Sequence, residues 1–180
     1  MPRKSTMHLG EVYFWTSTIY QWKHLLKPDK YKQVIVESLD NLCQRSKIKV
    51  YGFVIMPNHI HVLWEMLEMN GREMPYASFQ KYTAHFLQTD LRSHHPTILD
   101  LFYVAEKERV YRFWERDPLA IKIESRLVAE QKLTYIHHNP LQAHWNLATS
   151  PEAYSYSSAG YYEKETSGYP FLTHYVDRFG

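Results

Sequence analysis

The spacing of apolar residues changes period along this chain, and each change marks an element. "EVYFWTSTIY", Glu11 to Tyr20, is dense in aromatic and β-branched side chains and predicts a strand. Val34, Ile35, Leu39 and Leu42 then recur at helical spacing behind Pro28 and Asp29, which predicts a helix from about Asp29 to Arg45. "KIKVYGFVIM", Lys47 to Met56, becomes apolar on both faces toward its end, the pattern of a central strand covered on both sides, or on one side by a ligand such as a polyanion or a metal site. Pro57-Asn58 is a turn signal. "HIHVLWEM", His59 to Met66, alternates, with Ile60, Val62 and Trp64 on one face and His59 and His61 on the other. Two such runs joined by so short a turn predict an antiparallel hairpin.

Beyond the hairpin, Asn70 to Pro75 reads as loop and Tyr76 to about Arg92 as a helix with Phe79, Tyr82, Phe86 and Leu87 on one side. Ser93 to Asp100 reads as loop, and Leu101 to Trp114 as one or two short strands. A helix follows, capped by Ser125. It ends near Asn139, because the residue before Pro140 is pushed out of helical geometry. The tail mixes tyrosine, serine and proline and predicts loops and a short helix. The order strand, helix, strand, strand, helix, strand, helix predicts an α+β fold of ferredoxin-like type, a mostly antiparallel sheet flanked by helices. A split βαβ unit of this kind places its helices on one face. Without repeats or low-complexity linkers, residues 1–180 read as a single domain with a C-terminal extension from about 141.

Composition changes this picture little. Hydrophobic content of 44% and charged content of 22% are those of an ordinary folded domain. Fifteen tyrosines lean toward nucleic acid, since tyrosines stack on bases, but they also fill cores. The net charge of +2 is unevenly spread: nine Lys/Arg against four Asp/Glu in residues 1–60, ten against eleven in 61–140, two against four in 141–180. The amino-terminal third is therefore a candidate basic surface for a polyanion. A single cysteine, Cys43, excludes an intramolecular disulfide and a cysteine zinc cluster, and suits a reducing cytoplasm. No apolar run is long enough to span a bilayer, and "MPRKSTMHLG" lacks the apolar segment of a signal peptide.

Two imidazoles at i and i+2 on one strand face reach a single divalent ion, but two ligands do not hold it. "KLTYIHHNP" offers a third. Tyr135 and Asn139 stand four residues apart on one helical face, where a tyrosine is a potential nucleophile and an amide oxygen a ligand for a hard metal. Lys132, one turn earlier, is placed to touch a phosphate. The same spacing also suits a core tyrosine and a capping asparagine, and the histidine pair also suits plain hydrogen bonding, so spacing alone leaves both readings open. Adjacent helical residues point about 100° apart, so His137 and His138 cannot both face the ion and read as structural or surface groups, like His94 and His95. Lys81, Arg109, Arg112, Arg116 and Lys122 join Lys132 as candidate contacts to a DNA backbone, though each also reads as an ordinary surface charge. Trp64, Trp114 and Trp145 read as core rather than as base-stacking platforms.

Taken together, "YGFVIMPNHIHVLW" and the distant "YIHHNP" resemble the HUH single-tyrosine transposases, and within them the REP-associated tyrosine transposases. "KYTAHF" from Lys81, "FWERD" from Phe113 and "YSYSSAGYY" from Tyr154 fall in that family's order, so the resemblance runs from about Glu11 to Tyr162. It implies a metal-dependent endonuclease and strand transferase acting on single-stranded, hairpin-containing DNA, as a monomer or a homodimer. By the same resemblance His59 and His61 hold Mg²⁺ or Mn²⁺, with Asn139 where the insertion-sequence relatives carry glutamine. Tyr135 attacks the scissile phosphate to give a 5′-phosphotyrosine and a free 3′-hydroxyl. Lys132, Lys81, Arg112 and Arg116 are the expected DNA contacts. Chemistry agrees: a tyrosine with a pKa near ~10 is a weak nucleophile unless charge on the phosphate is drawn off, and no phosphate-gripping glycine loop is present. Two rivals stand beside this reading. One is a catalytically silent DNA-binding module of the same fold. The other is a histidine-dependent nucleotide hydrolase, against which Val62 and Leu63 count, since such sites need a further histidine.

Overall fold

The computed structural model describes residues 6–164 and 168–180, so Arg3, Lys4 and the first half of the opening segment weighed above as a leader lie outside the described residues. Four strands form the main sheet: β1 (Val12–Thr18), β2 (Ile48–Ile55), β3 (His59–Met66) and a fourth, Leu119–Lys122. Between β1 and β2 runs α1 (Asp29–Gln44); after β3 come α2 (Pro75–His94) and the short α3 (Pro96–Asp100). A separate two-stranded hairpin, β4 (Tyr103–Glu106) and β5 (Arg109–Tyr111), precedes the fourth strand, which is therefore β6. The order β2-β3-β1-β6, antiparallel throughout, is that of a ferredoxin-like α+β fold with the first strand inside the sheet.

The two faces of the sheet are covered by different helices. Tyr13, Trp15, Val50, Phe53, Ile60, Val62 and Trp64 point to one side and pack with Ile35, Leu39, Phe79 and Leu87 of α1 and α2. Val12, Phe14, Tyr51, Val54 and Leu63 point to the other and pack with Ala129, Leu133 and Ile136 of α4 (Arg126–His138). The expectation of helices on one face therefore holds for α1 and α2 and fails for α4. The physical reason lies in β2 and β3, which are buried on both faces over their whole apolar length and need two covers. A bulge between Val50 and Gly52 lets Val50 and Phe53 share a face despite their odd spacing. Gly52 lies under α4, where an added Cβ would come within 2.3 Å of Leu133 Cδ2.

Predicted and observed elements differ in three places. The Ser93–Asp100 stretch extends α2 to His94 and then forms α3 rather than a loop. The fourth strand of the sheet is Leu119–Lys122, not the Leu101–Trp114 segment, whose two short strands pair only with each other. An edge strand of four residues, mostly exposed, leaves too little pattern to read. On α2 the buried residues are Pro75, Phe79, Thr83, Leu87 and Leu91, whereas Tyr82 is exposed.

The tail closes the free edge of β2. Ile55 N–H donates to the Tyr156 carbonyl (2.9 Å), Ser158 N–H to that of Phe53 (2.9 Å) and Thr173 N–H to that of Val50 (2.9 Å). Tail tyrosines finish the edge: the Tyr154 hydroxyl donates to the Ile55 carbonyl (2.7 Å) and that of Tyr162 to the Tyr51 carbonyl (2.6 Å). These two tyrosines thus satisfy backbone at a sheet edge. Two short helices complete it, α5 (Ala159–Glu163) and α6 (Val176–Phe179). No helix among the described residues is long and apolar enough to cross a membrane.

Candidate active site

The strand pairing and the docking of α4 assemble one cavity of about 740 Å³ between the second face of the sheet and the helix. Antiparallel register sets Thr16 opposite His61 and Thr18 opposite His59. All four side chains project from the α4 side, together with Phe14. On the helix, Ser125 Oγ accepts from Val128 N–H (3.3 Å) and starts the first turn. Ala129, Leu133, Ile136 and His137 bury the helix against the sheet. Lys132, Tyr135 and, one turn later, Asn139 then lie along the cavity. The cavity thus brings together Tyr135, His59, His61, Asn139 and Lys132.

Both histidines are neutral near pH 7. Burial pushes His59 down to about 4, while the nearby Asn139 carboxamide opposes the shift. Burial takes His61 to about 3, helped by the Lys132 ammonium and, once it is protonated in acid, by His59. The imidazoles are 4.7 Å apart between centroids.

Each ring is oriented through Nδ1. Asn58 Nδ2 donates to the Trp22 carbonyl (3.2 Å), which leaves Asn58 Oδ1 to accept from His59 Nδ1–H (2.6 Å). His61 Nδ1 is 2.7 Å from Thr16 Oγ1; a proton on Nδ1, donated to that hydroxyl, leaves Nε2 as a lone pair. His61 Nε2 and Asn139 Oδ1 are buried with no hydrogen-bond partner. Buried polar atoms are rarely left so; Trp15 Nε1, Trp64 Nε1 and Arg112 Nε are others among the described residues, but of these five only His61 Nε2 and Asn139 Oδ1 belong to residues lining the cavity. Among the described residues no cluster of three His, Cys, Asp or Glu side chains forms a metal group. The donor set here is instead two imidazoles and one carboxamide, and imidazoles held through Nδ1 by partners such as Asn58 and Thr16 are the form that binds divalent ions. A divalent ion fits these residues.

Tyr135 is 45% exposed and lines the cavity, so the residue is accessible to a substrate. Its ring lies edge-on to His61 (5.3 Å) and to Phe14 (5.9 Å), and Phe14 stacks on His61 at 5.2 Å. Lys132 Nζ sits 4.8 Å above the Phe14 ring, the one expected DNA contact that reaches the cavity. Lys81 pairs with Glu73 (2.9 Å) and, with Arg116, borders a separate concavity beside α2. Arg112 departs from the expectation: it is buried, it pairs with Glu106, which also holds Arg116 (2.8 Å), and it lies over the Tyr20 ring. Its charge is committed to bracing the β4–β5 hairpin rather than offered to a phosphate. The basic amino-terminal third is similarly reduced, since Lys30, Lys32 and Lys47 pair with Asp90, Asp29 and Glu68.

His137 and His138 diverge as helical geometry requires. His137 is buried against Ser158 Oγ (2.8 Å) and pushed by burial to about 4, while His138 is exposed and bonds the Thr134 carbonyl. Trp64 and Trp114 are core, but Trp145 is not: it is half-buried and walls the cavity, 5.9 Å from the His59 ring and 5.5 Å from His24. Sequence reasoning missed Thr16, Asn58, His24, Gln142 and His144 in the lining. Asn58 had a signal, an amide beside His59 in a turn; Thr16 had none, because only strand register places it.

No protein-family model matches the chain, and no curated protein matches it. Among solved structures it is similar to that of a REP-associated tyrosine transposase bound to a REP hairpin, with a TM-score of 0.57 and 15% identity over 85% of this chain and 79% of that one. The likeness is one of fold: this chain carries a transposase-like α+β fold, with its candidate site on the α4 face of the sheet.

Proposed function

We propose that this protein is a metal-dependent endonuclease and strand transferase that cleaves single-stranded DNA through Tyr135 at hairpin-containing sites. One observation carries the reading. Two imidazoles, an orphaned carboxamide oxygen and an accessible tyrosine, contributed by a strand and a helix far apart in sequence, converge in one cavity. Its likeness in fold to a transposase bound to a hairpin supports DNA as the substrate.

His59 Nε2, His61 Nε2 and Asn139 Oδ1 would hold the ion. Bound there, Mg²⁺ or Mn²⁺ supplies Lewis-acid stabilisation of charge on the phosphate oxygens. All three ligands are neutral, so none offsets the cationic charge that a phosphate meets. Asn58 and Thr16 hold the imidazoles in one tautomer, and burial keeps them unprotonated. Lys132 adds a second positive charge at the cavity wall. The Tyr135 oxygen attacks phosphorus and the bond to the 3′-oxygen breaks. Tyr135 loses its proton to solvent, which its exposure allows, and the leaving oxygen takes one up. The energy of the phosphodiester is kept in the phosphotyrosine, and attack by a 3′-hydroxyl reverses the step.

The test is a covalent adduct. Wild-type protein with Mg²⁺ or Mn²⁺ and a single-stranded oligonucleotide should give a protein–DNA band stable to boiling detergent, and a chelator should prevent it. Tyr135→Phe should bind DNA and give none. An adduct that persists in Tyr135→Phe overturns the assignment of the nucleophile; DNA binding without any adduct favours the silent binding module. Tyr82 and Tyr111, two of several other tyrosines that would substitute for Tyr135 if the helix docked differently, lie outside the cavity.

A further inference from the structure

We infer that Trp22 is a stacking platform for one unpaired nucleobase at the mouth of the Tyr135 cavity, an inference that rests on the single-stranded DNA reading above. Three observations meet at this residue. Its side chain is 66% exposed, although tryptophan is among the side chains that gain most from burial. Its backbone is left-handed (φ 58°), as is that of Gln21 before it (φ 55°), a conformation that a bulky residue seldom adopts and that the surrounding structure must impose. And it borders the cavity that holds Tyr135, His59 and His61.

The structure imposes the conformation from several sides. Ile19 N–H donates to the Asn58 carbonyl (2.8 Å), Tyr20 N–H to that of Phe113 (2.7 Å) and Gln21 N–H to Glu115 Oε1 (2.6 Å). Trp22 N–H donates to the Ile19 carbonyl (2.8 Å), and its own carbonyl accepts from Asn58 Nδ2 (3.2 Å). Asn58 is the residue that orients His59. A fixed backbone thus presents a free indole, tied through one side chain to a candidate ligand histidine. The half-buried Trp145 stands on the same cavity beside His59, so an aromatic wall lies inside and an aromatic lip outside. A flat apolar ring next to a phosphate-cleaving site fits a nucleobase, because every base offers a π-face while its phosphate reaches Lys132 and the metal ligands.

The experiment measures binding of a labelled, mixed-sequence single-stranded oligonucleotide to the Tyr135→Phe protein, which cannot cleave it, and repeats this with one abasic residue moved along the strand. Trp22→Ala should weaken binding roughly 5- to 150-fold, the range of one lost base stack, and Trp22→Phe should retain most of the affinity. One abasic position should weaken the Trp22 protein and leave Trp22→Ala unaffected, because ring and base report one interaction. Trp22→Gly, which suits the left-handed backbone, should melt no lower than the parent and still bind like Trp22→Ala, separating stacking from folding. Equal affinity for the Trp22 and Trp22→Ala proteins, or an abasic scan identical in both, overturns the platform and leaves the DNA reading intact. Absence of binding to the oligonucleotide by the Trp22 protein overturns both.

Discussion

Acidification should unfold this protein by loading protons onto three buried histidines. Burial holds His59 and His137 at about 4 and His61 at about 3. The same side chains in an unfolded chain titrate near ~6.5. In every case the folded value is the lower one, so between the two values the unfolded chain binds more protons. The stabilisation is whole above the unfolded value and is lost as pH falls toward the folded values. Relative to about pH 8, a shift to about pH 5 costs roughly 2 kcal/mol per histidine and roughly 6 kcal/mol for the three. That is comparable with the whole stability of a typical domain, about 5–15 kcal/mol. Urea unfolding followed by circular dichroism, in chelator and at a series of pH values, measures it. The midpoint should fall steeply below about pH 6.5, and His137→Gln, which can still bond Ser158, should remove about a third of the loss. Adding Mn²⁺ near neutral pH should raise the midpoint, and the gain should vanish in acid as protons displace the ion and be absent in His59→Ala. A midpoint unchanged between about pH 8 and about pH 5 refutes the argument that these imidazoles are buried and neutral.

Asn139→Ala should slow adduct formation, though less than His59→Ala or His61→Ala, and should leave metal-free stability unchanged or raise it by about 1 kcal/mol, since it removes an unsatisfied buried oxygen; adduct gels and thermal melts read the two effects. Lys132→Ala should weaken binding to single-stranded DNA and lower the slope of log affinity against log salt by about 1, measured by fluorescence anisotropy across salt concentrations. Gly52→Ala should cost about 1–3 kcal/mol in urea unfolding, because its methyl group meets Leu133 in a packed interface, and should slow adduct formation by lifting α4, and with it Tyr135, from the sheet.

What the sequence determined by itself was local. The period-two alternation of His59 to Met66 and the turn before it placed both histidines on one strand face, and the observed strand has the predicted bounds. Ser125 and Pro140 bracketed α4, so the four-residue offset of Tyr135 and Asn139 was legible, as was the divergence of His137 and His138. These features depend on dihedral preferences and periods that act over a few residues. Only the family resemblance of the two distant motifs links them at the level of sequence.

Tertiary structure decided the rest, because each remaining feature depends on which distant segment lies alongside. The bulge at Gly52 sets the parity of β2, and α4 takes the second face because β2 and β3 are apolar on both sides. β6 joins the sheet through pairing with β1 rather than through any strong pattern of its own. Arg112 looks like any surface cation in sequence, and only the fold sets Glu106 against it and buries both its charge and its role. Thr16 reaches His61 by strand register, and Trp145 reaches the cavity through the chain that leaves α4. The orphaned His61 Nε2 and Asn139 Oδ1 come from segments with separate local signals, and their common cavity exists only because packing forces α4 onto the sheet.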